Sequence, residues 1–507
     1  MTDSETYDRG ALPSIIQRFE IVHLHGYRTI SLESPFAATI LIAQNGAGKT
    51  TLLNALDAFL RGQFLRLKNM QFSEMRCQLR NQNTKIVITY QDIQSLSKIT
   101  SEGDLSIEAK QLQVEPEQLI NFLSNNFGVM KEDVYSISDD PVFEAAVRFC
   151  GYNSRAALDY LEKLQSKLFS YNANVSDAIS RIRQSLSGYE VLYLPTYRRI
   201  ESPLTMAKGE DRIYSRKRPK LKLPFGNFSG GIQFGLSDIS ERLSELNQEI
   251  LFDSNRGYRK LSADIIKELL DGSFERAELS DSFLPTSEDL NLFFSRLKEG
   301  RRVGPFAEVV VPDIDHLLMA NPPSEKNKFL LYFISKLNTV MQATKDIENQ
   351  VEDFINKCNK YLSNIDVGYG QPINPDEYQN DSKELRLNRA DLSVYAVSLP
   401  SRRKITLDAL SSGEKQMISL LAKLYLYPKQ KIILIDEPEL SLSIDWQRQI
   451  LEDVINAPSC SQLVAITHSP FVFDNPLDPF ARSLGVVIDP DRIPQLWDGD
   501  EHDGDSV

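Results

Sequence analysis

One short stretch restricts the folds open to this 507-residue chain more than any other: Gln44-Asn45-Gly46-Ala47-Gly48-Lys49-Thr50-Thr51. An apolar run over residues 37–43 stops abruptly at it. Leu52, Leu53, Ala55, Leu56, Phe59 and Leu60 follow at helical spacing. A buried strand that turns through glycines into a helix is the repeating unit of layered α/β domains with parallel sheets. The loop fits the second half of G-x-x-x-x-G-K-[ST], with Ala43 where the first glycine of that pattern stands. In such a loop backbone N–H groups converge on phosphate oxygens, the lysine reaches the β- and γ-phosphates, and the hydroxyl ligates Mg²⁺. The helix that starts there adds its positive N-terminal end. Asn45, Gly46, Ala47, Gly48, Lys49, Thr50 and Thr51 are therefore the expected nucleotide contacts, with Thr50 also on the metal, and ATP with Mg²⁺ the expected cofactors.

Three later stretches bear on the same chemistry. The short run 431–435, apolar after Lys431, ends at Asp436-Glu437-Pro438. Asp436 is expected to hold Mg²⁺ through water, and Glu437 to orient and deprotonate an attacking water. Residues 410–416, LSSGEKQ, precede a helical run over 417–426, and their small side chains allow a helix N-terminus to approach a phosphate closely. Residues 463–466 read as another buried strand, ending at Thr467-His468-Ser469-Pro470 with His468 in reach of a γ-phosphate.

The rest of the chain sets the surroundings. Strands are expected at 19–24, 85–90, 191–194, 392–399 and 404–407, the last two separated by a turn at Pro400-Ser401. Short helices are expected within 115–127, 154–168 and 174–186, and a second helical block over 237–362. Its last member, 326–362, could reach roughly 50 Å. Lys and Arg number 57 against 70 Asp and Glu, a net charge of −13, which argues against a generally phosphate-coating protein. Seven Lys or Arg within residues 208–222 are a local exception, open to reading as a contact for DNA or an acidic partner, or as a solvated loop. No apolar run approaches the roughly 18–20 residues of a membrane helix, and the polar N-terminus shows no secretory signal. Cys77, Cys150, Cys358 and Cys460 are scattered and read as reduced, buried thiols of a cytoplasmic protein. The five histidines are dispersed, which disfavours a His/Cys metal site. The acidic end, 498–505, reads as disordered.

Taken in order, 46–50, 410–416, 436–442 and 467–469 resemble the ATP-binding-cassette (ABC) ATPase heads of SMC, RecF, OLD-type and Rad-type break-repair proteins. The resemblance implies an α/β fold: a split P-loop head with a large, mainly helical insertion. It makes 410–414 the signature motif, 441–445 the D-loop and His468 the switch histidine. In such heads the signature of one protomer meets the γ-phosphate held by the other, so Ser411 and Gly413 are implied to act in trans. ATP would then join two heads into a homodimer or a higher oligomer. Arg28 stands where these heads often carry an arginine after their first strand, implying a place near the nucleotide. Gln71 and Gln91 both compete for the Q-loop position. A histidine is common in the D-loop where this chain has Ser443, so that position is given no role.

The middle of the chain lacks sustained heptads, so long coiled-coil arms are not expected. The 39 residues after His468 are too few for an appended TOPRIM domain, so none is expected. The insertion and the Glu-containing signature disfavour a transporter ATPase. Residues 193–201, 234–238 and 410–416 with Trp446-Gln447 look like the stand-alone ATPases of prokaryotic defence islands, including those of Septu, some retrons and PARIS. That likeness implies an ATP-driven sensor or scaffold that controls a separate effector, usually a nuclease, in anti-phage defence. The alternative is a stand-alone RecF-like ATPase of DNA repair or processing, and a third possibility is intrinsic nuclease activity. The implied division runs 15–95 (N-terminal lobe of the head), 96–187 (helical insertion), 188–235 (return strand and basic loop), 236–385 (helical insertion), 386–490 (C-terminal lobe) and 491–507 (acidic tail).

Overall fold

Near-continuous apolar strands mark a sheet covered on both faces, and residues 432–435 and 463–466, each at most 1% exposed, are of that kind. A computed structural model describes residues 3–44, 46–102, 104–126, 137, 140–170, 172–195, 236–270, 285–299, 325–363, 382–440 and 442–492. It divides into two units, Met1–Gln233 with Lys429–Val507, and Phe234–Pro428.

The first unit begins with α1 (Asp3–Gly10), β1 (Ile16–Leu24), β2 (Arg28–Glu33), β3 (Ala38–Ile42) and α2 (Lys49–Leu60). Then come β4 (Glu74–Leu79), β5 (Ile86–Thr89) and the helices α3 (Tyr90–Glu102), α4 (Asp104–Leu112), α5 (Pro116–Asn125), α6 (Pro141–Phe149), α7 (Ser154–Ser170) and α8 (Ala173–Ser185). β6 (Tyr189–Leu194) precedes the second unit, which is formed by α9 (Leu236–Leu270), α10 (Ser287–Glu299), α11 (Glu325–Leu362), β7 (Lys383–Asn388), β8 (Ser393–Ser398), β9 (Lys404–Ile405) and α12 (Ser412–Tyr425). The chain returns to the first unit with β10 (Gln430–Asp436), α13 (Ile444–Ile455), β11 (Cys460–Thr467), β12 (Ala481–Ser483) and β13 (Gly485–Ile488).

In the first unit β12-β3-β11-β10-β6 form a parallel sheet. The expected α/β class is therefore present. A second, antiparallel sheet runs β13-β2-β1-β4-β5. Its strand β4 alternates: Met75, Cys77 and Leu79 are buried while Glu74, Arg76 and Gln78 are half-buried. That alternation is legible in EMRCQL, although β4 and β2 are absent from the strands expected above.

One buried glutamine ties the two sheets together. Gln462 of β11 is fully buried. Its Nε2 donates to the Ile16 carbonyl (3.0 Å) and to Ser34 Oγ (2.9 Å), and its Oε1 accepts the N–H groups of Ile15 (2.9 Å) and Ile16 (2.8 Å). Gln462→Leu leaves all four groups buried without that partner. It should destabilise the first unit by at least about 3 kcal/mol, read as a lower urea midpoint for that unit with an unchanged slope.

Apolar residues of the 96–187 helices, such as Phe122, Leu161 and Ile182, share one continuous core with Phe19, Leu56 and Ile86. Those helices belong to the same unit as the N-terminal strands. Residues 386–428, with the signature-like stretch, belong instead to the second unit.

Two helices of that second unit are long rather than one: α9 has 35 residues and α11 has 38, or about 52 and 57 Å. α12 begins at Ser412, earlier than the expected 417, because a capping box starts it. Ser411 Oγ accepts from Glu414 N–H (3.3 Å), and Glu414 Oε2 accepts from Ser411 N–H (2.7 Å). A buried ion pair joins α10 to α11, with Arg296 Nη1 donating to Glu348 Oε1 at 2.6 Å and Nη2 donating to the Arg389 carbonyl at 2.6 Å. All four cysteines are free. Cys77 and Cys358 are buried, whereas Cys150 and Cys460 are half-buried. Burial pushes the Cys77 thiol up to about 12, so it stays protonated and inert. Among the described residues no helix is long and apolar enough to cross a membrane.

Candidate nucleotide site

In open parallel sheets, side chains that bind ligands gather at the carboxyl ends of the strands. Here β3, β10 and β11 end together. β11 lies between the other two, with Ile42 opposite Thr467 and Asp436 opposite Ile466. The turn after β3 demands glycine. Gly46 has φ +81° and Gly48 has φ +94°, in the left-handed region that costs other residues roughly 1–2 kcal/mol. Gly48 is the N-cap of α2, whose first turn carries no acidic residue, leaving its positive end available to an anion. A Cβ on Gly48 would stand 3.5 Å from Ile30 Cδ1 and 3.9 Å from Arg28 Nη2. Ala47 and Thr51 are half-buried along this turn, and Gly46 and Thr50 are exposed. Asn45 lies outside the described residues.

Two pairs join the start of α2 to the end of β10. Lys49, 6% exposed, places Nζ 3.2 Å from Glu437 Oε1. Thr50 Oγ1 donates to Asp436 Oδ2 at 2.6 Å, and Asp436 is fully buried. The antiparallel sheet adds Arg28, whose Nη1 donates to the Gly46 carbonyl at 3.2 Å. Tyr193 of β6 has its hydroxyl buried, and burial, with Asp436 and Asp57 nearby, raises its pKa and keeps the phenol neutral.

Glu437 has φ +53°, an uncommon backbone for a residue with a side chain. Its N–H donates to the Ile466 carbonyl at 2.8 Å, which holds it at the end of the sheet. Its Oε1 stands 4.0 Å from His468 Nδ1. Glu439 was not among the sequence candidates. It is 7% exposed, and its Oε1 accepts from the His468 backbone N–H (3.1 Å) and lies 3.0 Å from His468 Nδ1. Gln447 of α13 completes the surround. Its Nε2 donates to the carbonyls of Glu439 (3.3 Å) and Leu442 (3.1 Å), and its Oε1 accepts from Ser469 Oγ (2.9 Å).

Arg28, residues 46–51, Asp436, Glu437 and His468 thus all belong to the first unit, and the contacts above link Arg28 to Gly46, Lys49 to Glu437, Thr50 to Asp436 and Glu437 to His468. Ser411 and Gly413 belong to the second unit. Ser411 is the N-cap and Gly413 lies in the first turn of α12, where Lys383 Nζ clamps Glu414 at 2.9 Å to each oxygen. Ser443 caps α13, accepting from Trp446 N–H at 3.4 Å. Gln71 and Gln91 are both exposed. Ser441, Arg198, Arg199, the basic run 208–222 and the acidic tail lie outside the described residues.

The donor set suits a small hard cation. Mg²⁺ takes oxygen ligands, keeps several waters and is usually held by one or two protein groups together with substrate phosphates. The Thr50 hydroxyl and the Asp436 carboxylate, already in contact, are such a pair.

A family model described as an AAA ATPase domain matches residues 15–473. Energy-coupling factor transporter ATP-binding proteins from two strains of Clostridium perfringens are 31% identical over 137 residues, which is 25% of this chain and 46% of theirs. The chain therefore spans about half the length of the curated relatives it matches.

Proposed function

The chain belongs to the AAA ATPase domain family and carries an ATPase domain of the AAA/ABC type, and from this premise we propose that it is a Mg²⁺-dependent ATPase working as an ATP-controlled switch. The observation that carries the reading is the double pairing of Lys49 with Glu437 and of Thr50 with Asp436 between the start of α2 and the end of β10. Lys49 binds the β- and γ-phosphates, and backbone N–H groups of 46–51 cradle them. Thr50 and Asp436 hold Mg²⁺, which neutralises phosphate charge when bound. Glu437 orients the attacking water and accepts its proton. His468 faces the γ-phosphate, and Arg28 braces the loop through the Gly46 carbonyl.

Ser411 and Gly413 act on ATP held by a second copy, so nucleotide drives formation of a homodimer or a higher oligomer. The resemblance of 193–201, 234–238 and 410–416 to defence-island ATPases supports a cytoplasmic sensor or scaffold that controls a nuclease effector. The basic run 208–222 is the candidate contact for DNA or a phage protein. The named relatives are transporter ATP-binding proteins, but the coverage restricts what carries over to nucleotide handling.

Light scattering with and without ATP and Mg²⁺ tests the trans arrangement. The chain should shift to at least twice its mass with ATP. Gly413→Asp suits an isolated helix, since an acid in the first turn is favourable there, but it repels a phosphate. It should abolish the shift while leaving ATP affinity within about threefold. A shift that survives Gly413→Asp would remove the trans role. Co-purification of the native operon should bring down a nuclease. ATPase activity that the isolated chain raises in response to DNA alone would favour the repair reading instead.

A further inference from the structure

Glu439 is a buried carboxylate with no role in the hydrolysis scheme above, and its surroundings give it one. One oxygen, Oε1, meets both the backbone N–H (3.1 Å) and the ring Nδ1 (3.0 Å) of His468. The other, Oε2, is buried without a hydrogen-bond partner among the described residues. A buried carboxylate is costly unless donors face it. A carboxylate can only accept, so the ring atom facing it must carry a proton. Holding the ring and its own backbone N–H with one oxygen also fixes the side-chain rotamer.

Among the described residues the other charged groups facing this ring are Glu437, 4.0 Å from Nδ1, and behind it Lys49. Both carboxylates stand on the Nδ1 side. The ring is half-exposed.

We infer that Glu439 is a positioning residue that keeps His468 protonated at Nδ1, so that Nε2 alone gains or loses a proton and faces the reacting phosphate. In its neutral form the ring then accepts a proton at Nε2. In its charged form it donates from Nε2 while Nδ1–H stays on Glu439. This rests on the reading of His468 as the γ-phosphate-facing histidine, but its first readout does not depend on that reading.

That readout is ¹⁵N NMR of the full chain labelled at histidine, with His468 assigned by its loss in His468→Gln. In the neutral ring Nδ1 should carry the proton and Nε2 should not. Glu439→Ala should convert the neutral ring toward the Nε2–H tautomer. Glu439→Gln should keep Nδ1–H, because its amide oxygen still accepts. The second readout is steady-state ATP hydrolysis. Glu439→Ala should lower kcat about tenfold with KM within twofold, and Glu439→Gln should recover most of it. Loss of the Nδ1 proton in the wild type, or a ring unchanged in Glu439→Ala, overturns the inference. A tautomer that shifts as expected while kcat stays at the wild-type value leaves the positioning intact and overturns the hydrolytic role of His468.

Discussion

ATP binding should weaken roughly 30- to 150-fold when Lys49 becomes Ala, and turnover of what still binds should fall by roughly a further 10²–10³. The first figure is the net worth of about 2–3 kcal/mol for hydrogen bonds to a charged group. The second is the usual loss when one donor to a developing oxyanion is removed. Two features push Lys49 toward the upper end. It is 6% exposed, so bulk water and salt screen its charge little. It is also the first residue of α2, where the helix end adds to its field. Titration calorimetry at fixed Mg²⁺ and ionic strength gives the affinity, and single-turnover hydrolysis gives the chemistry. The same substitution leaves Glu437, a carboxylate only 19% exposed, without its ammonium, so folding stability should fall as well, and a urea midpoint checks that the chain stays folded. Unchanged affinity in a folded Lys49→Ala chain would sink the phosphate site. Lys49→Arg is not a rescue, because a planar fork does not replace a compact ammonium at the head of a helix.

This site was unusually legible, and the reason is local. The β3 turn and α2 are adjacent in sequence, and glycine at 46 and 48 announces the left-handed backbone that the turn requires. Asp436 and Glu437 were legible for the same kind of reason, since they follow the apolar run 432–435 directly. The partners of those residues were less so, because they come from elsewhere in the fold. Arg28 reaches the loop from β2, a strand whose short mixed sequence, RTISLE, gives little pattern. Glu439 stands after a proline at a strand end, where a carboxylate usually meets solvent. Only the return of the chain through β11 brings His468 onto it.

Other elements carry local signals of their own. Ser411 and Glu414 have the spacing of a capping box, which would have started α12 in the right place. The alternation in β4 is equally plain. Unit boundaries were the least legible feature, because they depend on which apolar faces meet. The helices 96–187 have ordinary amphipathic patterns, and nothing in those patterns says that their partner is the N-terminal sheet.

Replacing Glu437 by Gln should separate binding from chemistry. Hydrolysis should fall by roughly 10²–10³, within the range general-base residues contribute, while ATP affinity stays within about threefold of wild type or tightens. The change is isosteric, so the N–H bond to the Ile466 carbonyl that holds the residue at φ +53° is kept. What is lost is a carboxylate whose Oε1 stands between Lys49 and the His468 ring. Its removal takes away the proton acceptor and also a negative charge beside the expected position of the γ-phosphate. The two consequences act in the same direction on the ATP-bound state: slower exit by hydrolysis, and less repulsion within it. ATP-bound oligomers should therefore accumulate with Glu437→Gln and persist through gel filtration, whereas the wild type should disperse as ATP is consumed. A variant that hydrolyses ATP at the wild-type rate would remove Glu437 as the base. A variant that is slow but never accumulates an oligomer would keep Glu437 as the base and remove ATP as the link between heads.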